Sequence, residues 1–330
     1  MDIKGALKRF SKSKSMSLLV VIIIIVVFFY IMNPNYLGRD NVRGIMTAMS
    51  LTGIVGVGTA FLLMGGGINL AAGAEGCLGA IIVALLMRSG MAWPLALLFG
   101  LVYGMCAGLI NSFFINKLNF FGFIATLGMA SIYTGVALLL TMSVPISISN
   151  QSFWELADYS VFGFFPMSFA IMVLIMVIYS LILNKTRFGR SILMCGGNRS
   201  AARLAGLSPK KTTTILYMNS GILSTIAGAL LASRMRGASH EALSSSSIDG
   251  ITAAVLGGVS FMGGSGSISG LFFGTLLLNA FSNGLVVIGM TPYWQLVLQG
   301  MVLIVALCVD YYSTKARNAS LLKKARIKSV

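Results

Sequence analysis

Charge is what this chain has least of. Among 330 residues there are 8 Asp+Glu and a single His, and all charged residues together make up 10% of the chain. A soluble domain carries roughly 25%, so a chain this poor in charge has too little to cover a globular surface, and a soluble fold is excluded. The lone His240 has no His or Cys neighbour to complete a zinc set and reads as a loop residue. The four cysteines form no disulfide framework and no CxxC pair: Cys77, Cys106 and Cys308 lie in apolar runs, and Cys195 lies in a basic segment. No lysine follows a glycine, so a phosphate loop of the GxxxxGK[ST] type does not occur. With so few acids, the catalytic cluster that a membrane enzyme needs is also missing.

Apolar residues are abundant at 57%, with 38 glycines, and 24 Lys+Arg bring the formal net charge to +16. A nucleic-acid binder would spread its basic residues along a water-exposed face. Here they sit between long apolar runs, the pattern of a multi-pass membrane protein with basic cytosolic loops, and nucleic acid is not expected as a partner.

A spanning helix needs about 20 apolar residues at 1.5 Å of rise each. Ten such runs are centred near residues 24, 54, 82, 104, 131, 175, 224, 256, 277 and 302. The first, Met16 to Met32, follows five basic residues like a signal peptide, but it is long and no small-x-small cleavage site follows, so it reads as a retained helix. The expected fold is an all-α polytopic transmembrane bundle of about ten helices with both termini cytoplasmic. Its parts are a basic N-terminus (1–15), a permease-like membrane domain (16–312) with a cytoplasmic loop (185–212), and a basic tail (313–330). With the N-terminus inside, Lys and Arg divide 19 inside to 5 outside, the five being Arg39, Arg43, Arg88, Arg234 and Arg236. Residues 143–165 form the longest outer segment. Its Trp154, Glu155, Asp158 and Tyr159 predict a short interfacial helix that either anchors at the membrane surface or presents charge to a docking protein.

Glycines recur at spacing four, at Gly100, Gly104 and Gly108 and again at Gly266, Gly270 and Gly274, which suits close helix packing or a channel wall. Two clusters interrupt the hydrophobicity, Gly65–Gly67 with Gly73, and Gly257–Gly258 with Gly263, Gly264 and Gly266. They read either as broken helices beside a cavity or as tight turns between spans. Polar groups at membrane depth are expensive and mark either a path or helix-to-helix bonding. Asn69, Asn111, Asn219, Asn279, Asn283 and Gln299 are neutral and suit a neutral hydroxylated cargo. Glu75, the one acid deep in a run, lines the path, caps the helix after the glycines or pairs with a cation.

The loop at 185–212 holds seven basic residues and no acid. Asn198 suits an N-cap, Gly206 a C′ position, and Pro209 blocks continuation. The two turns between them place Ala201, Leu204 and Ala205 on one face, with Arg199 and Arg203 on another. So short a helix is not stable alone and must pack on its own membrane domain, on anionic lipid or in a partner's groove.

These residues resemble the coupling region of ribose-type ABC importer permeases, in which T-x-x-G-R precedes G-G-N-x-x-A-A-x-x-x-G-I. Thr186, Gly189, Arg190, Gly196, Gly197, Asn198, Ala201, Ala202 and Gly206 match. Gly66-Gly67-Ile68-Asn69-Leu70, Phe123-Ile124-Ala125-Thr126-Leu127-Gly128, the stretch from Asp249 to Gly266, and Gln295 with Asp310 resemble further family segments in the same order, over residues from about 20 to 312. Asn69 stands where the family usually has Asp, Ala71 where it has Ser, Glu75 where it has an apolar residue, and Ser247 where Glu is frequent.

The resemblance implies a permease subunit of a bacterial importer in the inner membrane, taking a monosaccharide or similar small polar solute. It implies three partners besides membrane lipid: an ABC ATPase that binds ATP and Mg, a second permease chain, identical or not, and an extracytoplasmic solute-binding protein. It implies no cofactor in this chain. It also implies that Arg190, Asn198, Ala201, Ala202, Arg203, Leu204 and Gly206 couple the chain to the ATPase. Nucleoside, branched-chain amino acid or autoinducer cargo is the alternative within the family. An ion-coupled secondary transporter is the alternative outside it, and for that Glu75 is the one well-placed ionisable group.

Overall fold

The computed structural model describes residues 14–291, 293–308 and 311, so most of the basic N-terminus, the 313–330 tail and Asp310 lie outside the described residues. The chain is a bundle of apolar helices: α1 (Lys14–Met32), α2 (Arg39–Met64), α3 (Ala72–Arg88), α4 (Trp93–Asn116), α5 (Gly122–Thr141), α6 (Gln151–Asp158), α7 (Met167–Lys185), α8 (Arg187–Gly197), α9 (Arg199–Leu204), α10 (Pro209–Met235), α11 (Ser246–Leu256) and α12 (Ile268–Val287). A further apolar helix, α13, covers Tyr293–Cys308. Nine of the ten apolar runs read from the sequence are centred within a helix, and the run near 256 is centred on the last residue of α11, beyond which the chain is not helical until α12. Six of the helices, α2, α4, α5, α7, α10 and α12, are long and apolar enough to cross a membrane. α3, at 17 residues, and α11, at 11, are shorter, and each borders one of the glycine clusters.

α2 and α10 form the centre and are mostly buried, whereas α4, α5 and α7 turn much of their apolar surface outward, where lipid rather than water suits it. Glycines let the central helices approach to backbone contact. A methyl group on Gly104 would stand 2.5 Å from the Gly221 carbonyl oxygen, and one on Gly108 would overlap the Tyr217 carbonyl, so α4 lies directly on α10. Gly270 and Gly274 likewise admit the Gly257 and Ala253 carbonyls of α11. Both spacing-four sets therefore serve packing, the expected gain where apolar burial drives no association.

One end of the bundle carries a cap with four two-residue strands that the sequence reading did not foresee. β1 (Ile146–Ser147) pairs antiparallel with β4 (Gly237–Ala238), and β2 (Ser160–Val161) pairs with β3 (Phe165–Pro166). The interfacial helix expected in 143–165 is α6, N-capped by Asn150, whose side chain accepts from the Phe153 N–H. Trp154 is tied into the cap: its indole N–H donates to the Ile148 carbonyl at 2.9 Å, and the Arg236 guanidinium lies 4.6 Å from its ring. Arg39 donates to the Gly163 carbonyl and Arg43 to the Ser160 hydroxyl at the same end, and Arg88 borders β1. Four of the five arginines read as outside therefore lie at this end. The basic 185–212 segment lies at the opposite end, beside the C-terminus of α4, where the Asn116 amide donates to the Lys210 carbonyl.

Candidate coupling segment and buried polar centre

Residues 185–212 fold as two short helices where the sequence predicted one. Thr186 caps α8 by accepting from the Gly189 N–H, and Gly189 lies so close to the Ile182 and Leu183 carbonyls that a side chain has no room there. The T-x-x-G spacing is thus a cap followed by a tight return against α7. Asn198 caps α9 as predicted, accepting from the N–H groups of Ser200 and Ala201, and Gly206 takes φ +79°, the left-handed conformation that ends a helix. Pro209 is the first residue of α10, which Ser208 caps.

The orientation of α9 differs from a simple reading of its apolar face. Ala202 is the residue that packs inward, at 1% exposure, while Leu204 is 92% exposed and Ala201, Arg203 and Ala205 are exposed with it. Arg190 is exposed on α8. α9 therefore presents an uncovered leucine beside basic residues.

Between α2 and α3 the chain runs non-helically through the interior, the arrangement of a broken helix. Gly65 and Gly66 end α2, with φ +73° at Gly66. Three backbone groups of the break find partners on other elements. The Ile68 carbonyl accepts from the Tyr217 hydroxyl at 2.7 Å, the Leu70 N–H donates to Thr126 at 3.1 Å, and the Gly73 N–H donates to Ser247 at 2.8 Å. Irregular backbone in an apolar interior is tolerated only when satisfied in this way.

The break delivers Asn69 to a polar centre formed by four helices. Its side-chain oxygen accepts from the Ala71 N–H, and the two N–H groups of its amide are shared among both oxygens of Glu75, at 3.2 and 3.1 Å, and the Ser220 hydroxyl at 3.1 Å. The Asn111 amide donates to the same carboxylate, and the Tyr133 hydroxyl reaches the Asn111 oxygen at 3.4 Å. Asn69, Glu75 and Asn111 are all 0% exposed. Among the described residues Glu75 has no cationic partner; the Asn69 and Asn111 amides meet its carboxyl oxygens instead. It sits in the first turn of α3 without capping it.

The other residues expected along a path lie elsewhere. Asn219 accepts from the Tyr179 hydroxyl, with its amide nitrogen buried and unpartnered. Asn279 and Asn283, on α12, bond toward α2, accepting from Thr52 at 3.5 Å and Asn41 at 2.8 Å. Gln299 donates to Ser282. Tyr133, Tyr217 and Ser220 are not singled out from sequence; Thr126 lies inside a quoted motif, and Ser247 is noted there only as a departure from the family pattern. Hydroxyls in apolar helices are too common to flag without knowing what they face.

Near the coupling segment a cavity of about 690 Å³ opens between Gly66–Ile68, the Asn119–Phe123 bend, Tyr217 and Arg199. Among the described residues no cluster of His, Cys, Asp or Glu could hold a metal ion.

Residues 41–307 match the family model described as "Branched-chain amino acid transport system / permease component". The chain belongs to this permease family. The permease is 34% identical over 281 residues to the ribose import permease protein RbsC of Bacillus subtilis, covering 85% of this chain and 87% of that protein. It is 35% identical over 289 residues to the L-arabinose transport system permease protein AraH of Escherichia coli, with 87% and 88% covered. It is 34% identical over 296 residues to the galactose/methyl galactoside import permease protein MglC of Escherichia coli, with 84% and 88% covered. No solved structure matches it. The resemblance drawn from five ordered motifs holds over most of the permease, and the chain is a multi-pass membrane protein.

Proposed function

We propose that this permease is the membrane-spanning subunit of a bacterial ABC importer for a monosaccharide or similar small polar solute. In this reading it spans the inner membrane ten times with both termini cytoplasmic, and pairs with a second permease chain. A solute-binding protein delivers cargo to the capped end, and a separate ATPase, holding ATP and Mg, docks on α9. The membrane path is assigned to the neighbourhood of Asn69, Glu75, Asn111, Asn219, Asn279 and Asn283, and the coupling contact to Arg190, Asn198, Ala201, Ala202, Arg203, Leu204 and Gly206.

The observation that carries the reading is α9. A six-residue helix, capped at both ends and exposing Leu204 at 92%, has the form of a segment that completes its packing in a partner. The sugar assignment follows from the relatives' names and from the neutral amides in the helices.

The test is uptake by the permease reconstituted with its cognate ATPase and binding protein. The solute panel is ribose, arabinose, galactose and, because of the family description, leucine. ATP-dependent accumulation of a sugar that survives collapse of ion gradients is expected. Accumulation by the permease alone, driven by an ion gradient, overturns the assignment.

A further inference from the structure

Three glycine pairs, far apart in sequence, meet at one point of the fold. Gly65–Gly66 end α2, Gly196–Gly197 end α8, and Gly263–Gly264 turn the chain between α11 and α12. The Gly264 N–H donates to the Met64 carbonyl at 2.9 Å, joining the two turns directly. The Gly196 backbone lies against both. A methyl group on Gly196 would overlap the Met64 carbonyl oxygen and stand 2.9 Å from the Gly264 nitrogen. One on Gly263 would stand 2.8 Å from the Gly196 oxygen and 3.2 Å from the Gly66 Cα. Three stretches of main chain are thus in mutual contact with no side chain between them.

We infer that Gly196 is a positioning residue for energy coupling. It seats the segment that carries α9 on both turns at once, so that a displacement of α9 moves the end of α2 and the approach to α12 as one body. This rests on the importer reading of the chain. The physical basis is stiffness. Side chains hop between rotamers and absorb small shifts, whereas main chain packed on main chain transmits them. α9 begins only after Asn198, and Arg199 adds a second tie, a long hydrogen bond of 3.4 Å to the Gly66 carbonyl. Beyond one turn the chain leads to Asn69 and α3; beyond the other it leads to α12 with Asn279 and Asn283. A single seat therefore addresses both halves of the polar interior.

The neighbouring glycine supplies a built-in control. A methyl group on Gly197 would meet only the Gly264 Cα, at 3.7 Å, an ordinary contact. Neither Gly196 nor Gly197 has positive φ, so Ala at either position tests space rather than backbone conformation. The experiment reconstitutes the full importer with wild-type, Gly196→Ala or Gly197→Ala permease and measures solute taken up per ATP hydrolysed. Gly196→Ala should lower that ratio roughly two- to thirtyfold, the range expected for residues that carry coupling, and Gly197→Ala should leave it near wild type. A purely structural defect lowers both activities together and leaves the ratio unchanged, which overturns the inference. Absence of ATP-driven uptake by the wild-type complex overturns the importer reading and this inference with it. Should Gly196→Ala fail to assemble, hydrogen exchange on the wild-type complex decides the matter. ATP should alter protection in 60–67, 190–200 and 259–267 together, and a change confined to 190–200 overturns the coupled seat.

Discussion

Asn69 and Glu75 are bonded to each other at the centre of the bundle, one amide nitrogen reaching both carboxylate oxygens at 3.2 and 3.1 Å. The pair joins the non-helical break to the first turn of α3, and the Asn111 contact extends it to α4. A buried carboxylate is costly unless its lone pairs are satisfied. Here three amide contacts from two side chains satisfy it, so the cluster works as a clamp on the break.

Replacing Glu75 separates hydrogen bonding from charge. Glu75→Gln retains an acceptor for Asn69 and Asn111 and should keep most uptake. Glu75→Leu strands the Asn111 amide and leaves the Asn69 amide only Ser220, at about 1–3 kcal/mol for a buried donor left unpaired, and should lose uptake and thermal stability together. Uptake by both variants, normalised to inserted protein at several pH values, decides the point. If Glu75 couples a proton, Gln fails as badly as Leu.

The same pair permits a charge swap. Asn69→Asp alone sets two carboxylates against each other in a site without a cation and should sharply reduce folded protein. Adding Glu75→Gln restores one carboxylate and one amide and should recover a large part of the loss. Thermal stability across the four-member cycle measures the coupling, expected at about 1–3 kcal/mol for groups in direct contact. Strict additivity would rule out the clamp.

The orientation of α9 selects which substitutions probe docking. Leu204→Glu or Ala201→Glu should leave the membrane domain folded and weaken recovery of the ATPase in a pull-down. Ala202→Glu forces a charge into a site that is 1% exposed and should lower the yield of folded protein instead. Normal ATPase recovery and transport for Leu204→Glu would count against a role for α9 in coupling.

Topology is open to a labelling test. Single cysteines at Ser208, beside α9, and at Ser152, in α6, are both exposed and lie at opposite ends of the bundle. In a chain stripped of its own four cysteines, an impermeant reagent should label the Ser152 site in intact cells and the Ser208 site only after permeabilisation. Labelling of both in intact cells would overturn the proposed orientation.

What was legible in the sequence was local. Apolar runs marked the helices because length and hydropathy are properties of a window. Asn198 and Gly206 marked the ends of α9 because capping involves only near neighbours. The inward face of α9 was not legible, since a two-turn helix carrying Ala201, Ala202 and Leu204 does not record which side its own body lies on. The polar centre was half legible: Asn69, Glu75 and Asn111 stood out as polar groups among apolar ones. Their convergence with Ser220 and Tyr133 depends on how helices distant in sequence pack, and no spacing encodes that. The meeting of Gly196 with Met64 and Gly264 was hidden for the same reason.

The antiparallel pairing of Ile146 with Ala238 sets an order on biogenesis. Its two strands lie on either side of α6, α7, α8, α9 and α10 in the chain, so a ribosome must deliver all five helices before the ladder closes. Until then Trp154 lacks the Arg236 that stacks on it, because that arginine emerges just ahead of β4. Such a long-range contact forms late, since the intervening chain must first be ordered. The cap therefore acts as a completion mark: a permease truncated or stalled within α10 leaves α6 unclosed and open to quality-control proteases on that side of the membrane.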